Sequence, residues 1–120
     1  MSRHDRPNYE DVRWSHPAAA GAIAALRRTA EAIEAGLSEL GRATVLATDT
    51  WRGGHRLSFD QRRRSLDEAA RRLSADCRNA AAAIASADQR AREEQARRER
   101  AREEWERSER ERQNHAQPRV

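Results

Sequence analysis

The stretch Asp49-Thr50-Trp51-Arg52-Gly53-Gly54-His55 decides the fold of this chain. A large aromatic followed within two positions by a pair of glycines interrupts two runs that otherwise carry the period of a helix. Gly53 and Gly54 lack a Cβ and can take φ above zero, which lets a chain reverse direction without a steric clash. Trp51 carries enough apolar surface, about 150–250 Å², to cover the end of whatever packs beside it. The stretch is therefore read as the turn of a helical hairpin, spanning residues 49–56.

On the N-terminal side, Ala19, Ile23, Leu26, Ala30, Ile33, Leu37, Leu40 and Thr44 recur at alternating intervals of four and three. On the C-terminal side, Phe59 precedes a second stripe of Leu66, Ala70, Leu73, Cys77, Ala80, Ile84, Ala87 and Ala91 with the same alternation. Such stripes mark helices that pack lengthwise on other helices. Two of equal period about one short turn predict an all-α antiparallel helix-turn-helix hairpin over residues 18–91. Pro17 suits the first turn of the first helix, where its missing N–H is not needed, and Ser15 is placed to cap it. Gly36 and Gly41 weaken that helix by up to about 1 kcal/mol each relative to Ala, and close packing against a neighbour would account for both. Cys77 lies on the second stripe, where a free thiol behaves as a small hydrophobe.

Outside the hairpin the chain changes character. Residues 1–17 are polar, contain Pro7 and Pro17 and show no period, so they are expected to form a flexible arm. Tyr9 and Trp14 either pack on the first helix or meet a partner. Residues 92–120 are almost wholly Arg, Glu, Gln and Ala. Glu93 with Arg97, Glu94 with Arg98, Glu103 with Arg107 and Glu106 with Arg110 stand four apart in the favourable order, each pair adding about 0.2–0.5 kcal/mol. A charged helical extension follows, disordered at its end. Trp105 is isolated within it, fourteen residues beyond Ala91 and on the same side of the heptad register.

Composition narrows the function. Of 120 residues 37% are charged, yet the net charge is only +4. All the basic residues are Arg, a usage associated with GC-rich coding sequences such as those of actinobacteria. So few bulky apolar residues cannot fill a thick core, and a thin structure that completes its core with a partner fits better. One cysteine allows no internal disulfide, and His4, His16, His55 and His115 show no metal-ligand spacing. No nucleophile elbow surrounds a serine. The chain is read as no enzyme, without catalytic, metal or cofactor residues. No apolar run approaches the 18 residues of a membrane span, and no apolar stretch of a secretory signal peptide stands at the N-terminus. Arg62, Arg63 and Arg64 spread around a helix rather than forming one face, no aromatics interleave with them, and the acids of the tail oppose a phosphate backbone. Nucleic acid is accordingly not the expected partner.

Trp51-Arg52-Gly53 resembles the signature of the WXG family, small helical hairpins related to the early secreted antigens of ESX (type VII) secretion. The resemblance includes the Ala-rich first helix, Trp-x-Gly at the turn, Phe59 soon after it and the stripe from Leu66 to Ala91. It implies that two hairpins associate antiparallel into a four-helix bundle, as a homodimer or a heterodimer with another WXG-type protein. It further implies export by a signal-peptide-independent route, through a type VII secretion ATPase, to the outside or the cell surface. The face that pairs would carry Ile23, Leu26, Ile33, Leu37, Leu40, Phe59, Leu66, Leu73 and Ile84. Family members often carry a Tyr-x-x-x-Asp/Glu export signal beyond the second helix. No tyrosine follows Tyr9 here, and Trp105-Glu106-Arg107-Ser108-Glu109 has the same aromatic-x-x-x-acid spacing, so Trp105 and Glu109 are the candidate signal. A cytoplasmic coiled-coil adaptor is the alternative reading, and an Arg-rich nucleic-acid binder a third.

Overall fold

The computed structural model describes residues 5–116. Among them the chain forms two helices, α1 (His16–Thr48) and α2 (Gly54–Ala116), and no strand. The end of the tail, residues 117–120, for which disorder is expected, lies outside the described residues. Two compact units divide the chain. One comprises His16–Ser86, and the other brings Met1–Ser15 together with Ala87–Val120. The first is the helical hairpin.

Periodicity explains α1 almost residue for residue. Ala19, Ile23, Leu26, Ala30, Ile33 and Leu37 are the buried or half-buried positions of its inner face, and the rhythm continues through Gly41, Thr44 and Thr48. The expected stripe departs at one point, where Gly41 takes the inner place and Leu40 is left 41% exposed. On α2 the departure is systematic. Ala70, Cys77 and Ile84 are half-buried as the stripe implies, but the alternating positions move one residue on. Asp67, Ser74 and Ala81 enter the seam, while Leu66 and Leu73 remain 54% and 55% exposed.

The reason is size. Leucines at the centre of a seam hold helix axes some 8–10 Å apart, whereas small residues let the backbones close in. The buried apolar residues of the described chain are Ala19, Ala30 and Ala81, joined by Thr48 and Ser74. Among the described residues the larger apolar side chains are half-buried or exposed.

In the other unit, residues 8–14, part of the arm expected from the lack of period, make contacts with α2. They run along α2 from Arg102 back to Asp88, and their bonds are described below. Trp14 and Tyr9 make contacts with Asp88 and Arg102 of α2. Of the expected i,i+4 pairs, Glu94 and Arg98 meet at 3.1 Å. Arg97 turns to Glu94 at 2.8 Å rather than to Glu93.

Candidate functional site

Three regions carry the residues singled out by sequence: the turn, the border of the hairpin seam, and the tail around Trp105.

The turn is built by backbone geometry and closed by an arginine. Gly53 has φ of +106°, a conformation open to glycine and strained for other residues. Its carbonyl accepts hydrogen bonds from the N–H groups of Arg56 and Leu57 at 3.1 and 3.3 Å, so Gly53 caps α2. Gly54 is the first helical residue and needs no special φ. Trp51 lies against Phe59 with ring centroids 5.3 Å apart and planes tilted by 48°. It remains 38% exposed, so the aromatic pair covers one side of the turn rather than sealing it. Arg56 reaches back across the turn. Its guanidinium donates to the Thr48 carbonyl and, at 3.1 Å, to the Trp51 carbonyl, while its Nε binds Asp60 at 3.0 Å. The last carbonyls of α1 lack partners within their own helix, and that of Thr48 is met by Arg56 and by the Trp51 N–H. Val45, Leu46 and Leu57, which no sequence pattern singled out, are exposed at this end of the hairpin.

One border of the seam is polar. Glu34 of α1 accepts from the Ser74 hydroxyl at 2.7 Å and from Arg78 through Nε at 3.0 Å and Nη2 at 2.8 Å. These donors, Arg78 first, pull the Glu34 carboxyl down from 4.5 to about 2. The carboxylate in turn raises the Arg78 guanidinium above its ordinary value. Nearer the turn, Arg63 donates to the Thr44 hydroxyl and to the Leu40 carbonyl, and holds Asp67 at 3.1 Å. Gly41 is needed beside that guanidinium only loosely, since a Cβ there would meet Arg63 at 3.5 Å, an ordinary contact. Gly36 faces open space, and packing does not account for it.

The other border is apolar. At about 100° per residue, Leu66 and Leu73 lie nearly in line, and Leu73 sits about 140° round α2 from Arg78. On α1, Leu40 is about 120° from Glu34 and on the opposite side. Ile23, Leu26, Ile33, Leu37, Phe59 and Ile84 are half-buried, partly in the seam and partly at its borders.

In the tail, Trp105 and Glu109 are both half-buried and are joined by a residue that the spacing did not suggest. Arg112 lies over the Trp105 ring at 5.9 Å and pairs with Glu109 at 3.3 Å. Trp105 also lines a groove of about 650 Å³ with Pro7, Asn8, Arg97, Arg98 and Ala101.

Among the described residues no group of three or more His, Cys, Asp or Glu is placed to hold a metal ion. No helix there is long and apolar enough to cross a membrane. Comparison with known proteins gives no match to a family model, a curated protein or a solved structure.

Proposed function

We propose that this chain is a WXG-type recognition protein, a substrate or secretion partner of a type VII system, that works as one half of a four-helix bundle. The observation that carries the reading is the hairpin's seam of alanines, beside which Leu40, Leu66 and Leu73 stand exposed on one border. Apolar side chains in such a row gain about 25 cal/mol for each Å² covered, and a second hairpin of the same design offers a matching row. Trp51-Arg52-Gly53 at a turn that uses the positive φ of Gly53 supports the family likeness. Arg56, Arg63 and Arg78 are engaged in holding the hairpin, which leaves fewer cations for a nucleic-acid phosphate. No catalytic role is proposed.

Trp105 and Glu109, braced by Arg112, are the proposed contact for the secretion ATPase. Export of the Trp105→Ala, Glu109→Ala double variant should fall to background while its dimer persists. Export at the normal level would remove these residues as the signal. Co-purification with the product of a neighbouring gene, tested by light scattering, decides between identical and different mates. The adaptor reading is favoured by α2, whose charged helix continues to Ala116, well past the hairpin. A chain found only inside the cell, bound to no secretion component, would support it.

A further inference from the structure

Residues 8–14 run along α2 and antiparallel to it, with one bend at Glu10, whose N–H donates to the Asn8 side chain at 2.9 Å. The Asn8 carbonyl accepts from Arg102 Nε at 3.1 Å, and the Glu10 carbonyl accepts from Arg98 and from Arg102, each at 2.9 Å. Gln95 reads the next two residues with both ends of its amide. Its Nε2 donates to Asp11 at 3.0 Å, and its Oε1 accepts the Val12 N–H at 2.9 Å. Arg102 also pairs with the Asp11 carboxylate at 3.1 Å, and the Trp14 indole N–H donates to Asp88 at 2.8 Å. Bonds from Gln95 and Arg102 lower the Asp11 carboxyl below its ordinary range.

The two partners match in length. Six residue steps from Asn8 to Trp14 reach at most about 20 Å, and fourteen helical residues from Asp88 to Arg102 rise about 21 Å. Carbonyls and an N–H supply much of the arm's side of the contact, and the side chains of Tyr9, Asp11 and Trp14 add to it. Such a surface recognises an extended backbone with a carboxylate at its centre, whatever the other side chains. At one end, Pro7, four residues ahead of Asp11, lines one groove together with Ala101 and Trp105. The arm is also readily exchanged. Asp11 keeps 73% of its side chain in solvent, Tyr9 and Trp14 are exposed, and polar bonds of this kind are weakened by salt. The helix beneath has its own ladder of pairs, Asp88 with Arg92 and Glu94 with Arg98.

We propose that the face of α2 from Asp88 to Trp105 is a docking track for an extended acidic peptide. The chain's own residues 8–14 occupy it here, and a partner protein's segment with an apolar residue about four places ahead of an acid replaces them. The argument stands on the arm's geometry and is independent of the secretion reading.

The test uses the full chain and a fluorescent synthetic peptide with the sequence of residues 5–15. Val12→Pro with Trp14→Ala removes two donors from the arm without touching α2. Hydrogen exchange in residues 8–14 should then approach that of free peptide, with helicity unchanged by circular dichroism. This opened chain should bind the peptide at least tenfold more tightly than the wild type at low salt. Adding Arg98→Ala and Arg102→Ala should reverse the gain. Equal binding by closed and opened chains, no binding by the opened chain, or binding that survives loss of both arginines would each overturn the proposal. Because peptide binding is measured apart from export, failure of the Trp105 and Glu109 signal leaves this result untouched.

Discussion

Gly53 and Gly36 are the same residue type with opposite consequences. Gly53 holds a φ of +106°, and an alanine there is forced into a sparsely populated region at a cost of about 1–3 kcal/mol. Gly36 lies in a regular helix with open space where its Cβ would stand, so Gly36→Ala should stabilise by about 0.5–1 kcal/mol. Thermal unfolding followed by circular dichroism should separate the pair cleanly, and equal effects would remove the distinction drawn from φ. Glu34 makes a second prediction at this scale. Its folded pKa, about 2, lies below its ordinary 4.5, so the stabilisation from its carboxylate is complete above 4.5 and is lost as pH falls towards 2. Glu34→Gln should therefore narrow the loss of stability across that window, and a variant with the wild-type acid profile would show that Arg78 and Ser74 do not hold it.

For the elements, α2 already begins at Gly54, inside the turn expected over 49–56, while the expected all-α hairpin is legible because period survives in sequence. α1 follows its stripe through Leu37 for that reason. Heptad reasoning then selects the largest apolar residue near each inner position, whereas close approach selects the smallest. That difference moves the seam of α2 from Leu66 and Leu73 to Asp67 and Ser74, and from Ala80 to Ala81. The bulk at Ala81 is thus a direct measure of how near the helices come. Ala81→Leu should destabilise by about 1–3 kcal/mol through overpacking, while Ala80→Leu, one residue round the helix and exposed, should change stability by less than about 0.5 kcal/mol. Denaturant unfolding of the two variants checks this, and comparable losses would restore the stripe in its original register. The arm was illegible for a different reason. Its partners on α2 grip main-chain atoms, and main-chain atoms leave no pattern in a sequence. Gln95 and Arg102 looked like any other polar residues of a charged tail.

Taken as a whole molecule, the hairpin keeps Glu34 and Arg78 on the border opposite its exposed leucines. Replacing Leu40, Leu66 and Leu73 together by serine should leave helicity largely intact under conditions where the wild type is helical, and should move the light-scattering mass from that of the proposed dimer to that of a monomer. A triple variant that remains a dimer would place the mate elsewhere. The alanine seam has a further consequence for alignment. Smooth, small surfaces have few teeth, and two such helices could slide along each other by a turn with little loss of packing. What prevents the slide is a set of rungs, Glu34 to Ser74 and Arg78, Thr44 to Arg63, and Thr48 to Arg56. Alignment is thus recorded within the seam and along the Glu34 border, and a visitor can come and go along the leucines without erasing it.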